Sequence, residues 1–442
     1  MEQALNKGSN HPVSMGQPFL DYAGGVLRME GVPLAELAER LGTPFFLISE
    51  SRLRANYQAL ERGLSAAGPG TILRYCAKTN REAAVLETMS VLGGHLLASH
   101  AAEAALAVRC GFPPERIAYA RPVLTPEELD AALGLGVPLF HVHHPDDLAK
   151  LEEAAERSGR PVRVSFRLRG AAGLSPLGRL NQRLGLDADE IVEAARRAEA
   201  SPWLKPAALN FYLGTQQSSL DGFARVFRGV LDLLKRVASE AGVVLREVNL
   251  GGGIPSPTLR RVGPRQVLGR LRDRLGASAR SENLEAFAAG LGARFRELVE
   301  ASGLSEPPVL AAEPGRSIAG DAAVLVTRVR AVRGSWLFLD ASRNHLPESP
   351  LLFARRILPL SEGKGEERFW NLSGCTLNTL DVLDLHRRLP PLAPGDGLAF
   401  CDAGAYSISR ASSYAGLSPA VYLLEADGTV RLARRAEGVE DL

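Results

Sequence analysis

Short apolar runs alternate with longer segments of helical period along most of the chain. The runs at 71–73, 117–120, 139–142, 162–168 and 207–212 read as buried strands. Between and after them, 82–92, 101–110, 145–157, 187–200, 220–241 and 284–300 read as helices, the fourth with Ile191, Ala194 and Ala195 on one face. This strand–helix rhythm predicts an α/β fold, a TIM-like (β/α)8 barrel of parallel strands. Its strands should end near Lys78, Tyr212, Gly251 and Glu313. In such barrels the C-terminal strand ends carry the chemistry, so these four points are expected to converge. After about Ala319 the pattern changes to short β runs at 322–332, 335–340, 397–401 and 420–424, which read as a C-terminal β-sandwich or β-barrel domain. The run 22–27 is expected to join it. The layout is then a flexible tail at 1–20, N-terminal strands of the β domain at 21–49, the barrel at 50–318 and the C-terminal β domain at 319–442. The stretch 256–283, rich in Arg, Gly and Pro, reads as an insertion or mobile loop. No internal repeat or low-complexity tract occurs.

Composition narrows the class. A chain of 442 residues can bury two substantial cores, and 45% hydrophobic content is ordinary for a globular protein. A net charge of +2 gives no case for nucleic acid or an anionic membrane as partner. Cys76, Cys110, Cys375 and Cys401 lie far apart without metal-ligand spacing, and read as reduced thiols of a cytoplasmic protein that binds no metal. Residues 1–19 lack an apolar signal core, and no run approaches a membrane span. Dinucleotide and Walker spacings are missing, which disfavours a nucleotide-binding α/β enzyme.

The candidate chemistry starts at Lys78. The chain has six lysines among its 52 basic residues, and this one follows a strand in Arg74-Tyr75-Cys76-Ala77-Lys78-Thr79-Asn80. Burial there would favour the neutral amine, which a Schiff base with an aldehyde cofactor requires. Taken locally, the same lysine could reach water from a strand end. Gly251, Gly252 and Gly253 follow a strand and would let backbone N–H groups approach an anion, although a bare glycine triplet also suits a plain turn. At Glu313-Pro314-Gly315-Arg316 a strand ends in a carboxylate, a turn and a guanidinium. Glu313 could hold a proton on a pyridine nitrogen, and Arg316 could clamp a phosphate. A surface Glu/Arg turn would look the same.

Lys78, Gly251 to Gly253, Glu313 to Arg316 and Asp402-Ala403-Gly404-Ala405-Tyr406 stand in the order and spacing of one family. The chain resembles the fold-type III, alanine racemase-like, pyridoxal-phosphate-dependent amino acid decarboxylases, which include diaminopimelate, ornithine and arginine decarboxylases. The likeness runs from about Leu41 to about Leu423 and is strongest to the diaminopimelate branch. It implies that pyridoxal 5'-phosphate is the cofactor and Lys78 its Schiff-base lysine. It further implies that Gly251, Gly252, Gly253, Gly315, Arg316, Thr215 and Tyr406 serve the phosphate, that Glu313 binds the ring nitrogen, and that Arg167 lies near the ring. For Arg167 a barrel-rim ion pair remains open. The resemblance also implies a two-fold homodimer with composite sites.

Three departures from the family pattern bear on function. Where the family has a histidine stacked on the ring, this chain has Tyr212, which can stack but cannot exchange protons near neutral pH as an imidazole does. The family's Gly-Pro-x-Cys-Glu/Asp-Ser-x-Asp becomes Gly374-Cys375-Thr376-Leu377-Asn378-Thr379-Leu380-Asp381. Leu377 thus occupies the position of the proton-donating Cys and Asn378 that of the acid. On a strand, Cys375 would point the same way as Leu377 but about 6–7 Å off. The diaminopimelate branch has Arg-Pro-x-x-Tyr where this chain has Ser349-Pro350-Leu351-Leu352-Phe353. With Ser349, Phe353 and Asn378, three polar contacts to a distal amino acid head group are missing, so diaminopimelate is expected to be a poor substrate. The expected reaction is decarboxylation of a non-standard amino acid. Other chemistry at Cα on the same cofactor (epimerisation, carbon–carbon bond formation or oxidation) and a non-catalytic homologue stand as alternatives.

Overall fold

The computed structural model describes residues 19–170, 183–261, 283–350 and 352–441. They fall into two compact units. One holds 54–257 and 283–318, the other 19–53, 258–261 and 319–441. Most of the proposed insertion at 256–283, and most of the tail at 1–20, lie outside the described residues. Residues 50–53, assigned to the barrel from sequence, group with the sheet unit, as do 258–261.

The first unit is a closed barrel of eight strands: β1 Ile72–Cys76, β2 His95–Ala98, β3 Ile117–Ala120, β4 Leu139–Val142, β5 Val162–Arg167, β6 Leu204–Asn210, β7 Glu247–Asn249 and β8 Val309–Ala312. Every neighbouring pair is parallel, and β8 closes on β1. Parallel neighbours cannot be joined by hairpins, so helices carry the chain back outside the barrel. Local signals start and stop them. Asp187 and Glu190 form a reciprocal capping box at the start of Ala188–Ala200. Ser219 caps Leu220–Ala241, which ends at Gly242 in the left-handed conformation.

Strand alternation decides what faces inward. On β6 and its continuation, Phe211 points out and packs on Phe227 at 5.8 Å between ring centroids, and Phe227 packs on Phe295 at 5.1 Å. This ties helices 220–241 and 284–302 to the barrel and turns Tyr212 to the other face. The barrel interior combines a thin apolar layer of Cys76, Leu97, Ala118 and Leu139 with polar side chains. Arg74 meets Glu247 there in a fully buried bidentate pair at 2.6 and 2.8 Å.

The second unit is built on a sheet in which strand Phe45–Ser49 lies between 323–333, antiparallel, and 420–424, parallel. Its core includes Leu27, Leu34, Phe45, Leu47, Val324, Val326 and Ala399. The segment read from sequence as one run at 22–27 is instead a hairpin, Leu20–Ala23 with Val26–Met29, turned at Gly24 and Gly25 with φ of 60° and 77°. Positive φ at both central residues defines a turn that matches strand twist, and two glycines adopt it without strain. The hairpin belongs to a separate three-stranded sheet, and its Leu27 and Met29 enter the core of the unit.

Candidate active site

The strand ends expected to converge come together at the C-terminal end of the barrel. β1 ends at Cys76, and a single 3-10 turn, Ala77–Thr79, carries Lys78. That turn interrupts the strand alternation, so Lys78 is exposed and not buried, contrary to the expectation from sequence. Two contacts fix the turn against the end of β8: the Cys76 amide donates to Pro314 O at 3.1 Å, and a Cβ at Gly315 would lie 1.9 Å from Thr79 Oγ1. Only glycine fits at 315.

Glu313, immediately after β8, is buried. Asn249 Nδ2 donates to its Oε1 at 2.7 Å, while Asn249 Oδ1 accepts from the Gly251 amide at 2.9 Å. One amide at the end of β7 thus orients both the carboxylate and the glycine turn. Burial pushes the Glu313 carboxyl up, and the charges of Arg74, Arg167 and Lys78, with the Asn249 hydrogen bond, oppose the rise. His141 Nε2 lies 3.2 Å from the same Oε1. Burial and the nearby Arg74 depress that imidazole to about 3, so it is neutral at physiological pH.

Arg167, at the end of β5, is buried on its inner side and donates from Nη1 to Asn210 Oδ1 at 2.9 Å. Its guanidinium carbon lies 5.6 Å from the centre of the Tyr212 ring. Among the described residues no ion pair holds it. Burial pulls the Arg167 pKa down while Glu313 and Tyr212 pull it up. Arg167, Asn210, Asn249, Glu313 and His141 form one connected polar layer across β4 to β8. Asn210, Asn249, His141 and His143 were not singled out from sequence. The His-x-His spacing on a strand was the available signal for the last two, since it puts both imidazoles on one face.

The glycine turn is packed backbone against backbone. Gly251 and Gly253 have φ of 68° and 94°. A Cβ would lie 2.5 Å from Phe211 O at 251, 2.9 Å from Glu313 O at 252 and 2.0 Å from Gly214 O at 253. The run is therefore closely packed beside Tyr212, and glycine is required at each position. Thr215 is half-buried on the adjoining loop, and Arg316 is buried at the start of the short helix Arg316–Ala319. An amine, a glycine turn with a buried guanidinium after the neighbouring strand, and a buried acid are the residue types that fit the aldehyde, phosphate and ring nitrogen of pyridoxal phosphate.

The remaining candidates belong to the other unit. Tyr406 is half-buried with φ of 56°. Ser349 and Phe353 are half-buried, and the Phe353 amide donates to Ser349 O. Segment 374–381 is a loop and not a strand, so the alternation argument for Cys375 does not apply. Cys375 is exposed, and partial burial with the neighbouring Asp381 raises its thiol pKa. Asp381 is buried and organises the loop, accepting from the Arg343 amide at 2.7 Å, the Thr376 amide at 2.9 Å and the Thr376 hydroxyl at 2.6 Å. Asn378 Oδ1 accepts from the Leu380 amide at 2.9 Å, and Leu377 is fully exposed. Among the described residues no group of His, Cys, Asp and Glu could hold a metal, and no helix is long and apolar enough to cross a membrane.

Residues 51–320 match the family model described as the pyridoxal-binding domain of pyridoxal-dependent decarboxylases. A diaminopimelate decarboxylase of Aquifex aeolicus is 26% identical over 433 residues, 96% of each chain. That of Methanothermobacter thermautotrophicus is 27% identical over 428 residues, 95% of each. The crystal structure of diaminopimelate decarboxylase from Methanocaldococcus jannaschii superposes with a TM-score of 0.83 at 24% identity, covering 96% of both chains. That from Helicobacter pylori, complexed with L-lysine, gives 0.78 at 23% identity, covering 92% of this chain and 98% of the other. The chain belongs to the pyridoxal-dependent decarboxylases, and it is a pyridoxal-phosphate-dependent amino acid decarboxylase of the alanine racemase-like fold type III.

Proposed function

We propose that the enzyme removes the α-carboxylate from a non-standard amino acid other than diaminopimelate, with Lys78 as the amine that links to the cofactor. Bound pyridoxal phosphate supplies the electron sink for carboxylate loss at Cα. The chain's own groups do the rest. Gly251, Gly252, Gly253, Gly315 and Arg316, with Thr215, would hold the phosphate. Glu313, oriented by Asn249, keeps the ring nitrogen protonated. Tyr212 would offer its face to the ring, with Arg167 beside it. Because Leu377 carries no proton, the proton returned to Cα would come from Lys78, Tyr212, water or Cys375. Because the relatives are diaminopimelate decarboxylases, diaminopimelate is the alternative substrate.

One observation carries the substrate reading: Asn378 spends its side-chain oxygen on the Leu380 amide and offers no charge. With Ser349 and Phe353, the loops present no cation or anion at the positions that the diaminopimelate branch uses for the distal head group. A site that lacks those partners discriminates against the group. We further propose that the protein works as a homodimer, with the loop 374–381 and its exposed Leu377 and Leu380 in the interface. The test is carbon dioxide release by the cofactor-loaded protein from a panel of L- and D-amino acids that includes diaminopimelate and lysine. We expect a preferred substrate with kcat/KM at least tenfold above diaminopimelate. Diaminopimelate at the head of the ranking would overturn the substrate reading.

A further inference from the structure

The inward face of β7 carries two polar side chains in succession. Glu247 and Asn249 are two residues apart on the strand, so they project to the same side, about 6–7 Å from each other. Each clasps a group from another strand. Glu247 takes the Arg74 guanidinium of β1 in the bidentate pair, and Asn249 takes the Glu313 carboxylate at the end of β8. The strand register brings the same two groups together. Ala311 pairs with Ile72 and Ala312 with Leu73, and the Cys76 amide donates to Pro314 O, so Glu313 stands beside Arg74. All four side chains are buried. The other groups around Glu313 leave its charge largely unmatched. Among the described residues it has no charged ion-pair partner, because His141 is neutral. Burial pushes the Cys76 thiol up to about 11, so it is neutral too. Arg167 of β5 donates to Asn210, and Lys78 stands exposed after β1. Burial favours a protonated Glu313, and Arg74 leads the charges that oppose this.

A carboxyl that has taken up a proton presents a donor where an acceptor is needed. We propose that Arg74 is a positioning residue for Glu313: held by Glu247 one rung deeper in the barrel, its guanidinium keeps the carboxylate charged and able to accept the N–H of the cofactor ring. This rests on the assignment of Glu313 to the ring nitrogen made above. Glu247 has two effects in this arrangement. It aims the guanidinium, and its own negative charge offsets part of the guanidinium's field at Glu313. The pair thus acts on the reaction through Glu313, without touching the cofactor and without any covalent step.

The titration of Glu313 itself tests it. The full chain, before cofactor is added, is labelled with carbon-13 in its glutamate carboxyls, and the Glu313 resonance is the one lost in Glu313→Gln. In the double variant Arg74→Met, Glu247→Leu its midpoint should rise by on the order of one pH unit above wild type. In Arg74→Lys, which keeps the charge, it should lie nearer the wild-type value. A role in packing alone would leave the midpoint where it is, and an unchanged midpoint in the double variant would overturn the inference. Should that variant fail to fold, Glu247→Gln decides. With the guanidinium's counter-charge gone, the Glu313 midpoint should fall, and a rise or no change counts against the coupling. Equilibrium dialysis of pyridoxal phosphate separates this from the parent reading. Weakened binding in Glu313→Gln, with an unmoved midpoint in the double variant, sinks only this inference. Undiminished binding in Glu313→Gln, with a moved midpoint, upholds the charge coupling and sinks the assignment of Glu313 to the ring nitrogen.

Discussion

At the scale of single residues, the proposed site separates side chains that would do chemistry from those that aim them. Lys78 stands on a one-turn helix, and its replacement by Ala should abolish the visible band of the bound cofactor and lower turnover at least about a thousandfold. Absorbance and carbon dioxide release check this, and retention of the band would exclude Lys78. Asn249 acts through its neighbours. Asn249→Ala should lower kcat on the order of tenfold and weaken cofactor binding together, because it frees both Glu313 and the glycine turn. Tyr212→Phe should change kcat/KM by less than about threefold, because the ring offers a face and not a proton. A collapse of activity in Tyr212→Phe would show that the hydroxyl matters. The motif residues were legible because turns and catalytic types are local. The exposure of Lys78 was not, because a strand that stops two residues early gives no local signal. The link from Asn210 and Asn249 to Arg167 and Glu313 joins four strands, and no spacing in the sequence records it.

At the scale of elements, the barrel depends on a polar interior held in register. Removing one partner of Arg74–Glu247 leaves a buried charge and should cost about 3–5 kcal/mol. The double variant Arg74→Met, Glu247→Leu should regain most of it, as read by urea denaturation. The same interior makes stability depend on acid. His141 falls from the usual 6.5 to about 3 in the folded state, and His95 to about 4. The unfolded chain therefore binds more protons than the folded one between those values. The stabilisation is whole above about pH 6.5 and is lost as pH falls toward about 3. The raised carboxyls of Glu313 and Asp402 oppose this fall in part of the same window, so the difference is read on one residue: His141→Asn should lose less urea midpoint than the wild type as pH falls from about 6.5. Element existence was readable where pattern and length agreed, as for Ile117–Ala120, Leu139–Val142 and Leu220–Ala241. Strand His95–Ala98, four residues long and opened by a histidine, shows no alternation to read. Helix Pro126–Gly134 was passed over even though Thr125 caps it and Pro126 starts it. Strands 368–373 and 382–389 gain their identity from each other, through a pairing that the local pattern does not encode.

For the whole molecule, two units share the work unequally. Leu377 and Leu380 are large, apolar and exposed on one loop. If that loop seals a homodimer, Leu377→Asp with Leu380→Asp should shift the protein to monomer in sedimentation velocity and lower turnover. A variant that stays dimeric would place the interface elsewhere. The barrel was foreseeable from its alternating rhythm, whereas the sheet unit, gathered from three stretches of chain, was visible only as loose β runs. The glycine turn has one more consequence. Its fit is made by main-chain atoms meeting main-chain atoms, so beyond the demand for glycine and the Asn249 side chain that holds the Gly251 amide its shape owes little to side-chain identity. Positions 349, 353, 377 and 378 are ordinary side chains in the other unit and carry no such demand. On the proposed assignment of those positions to the substrate, mutational drift can explore new reactants there while the glycine turn stays invariant. A lineage built this way can diversify in what it consumes long before it loses the ability to react at all.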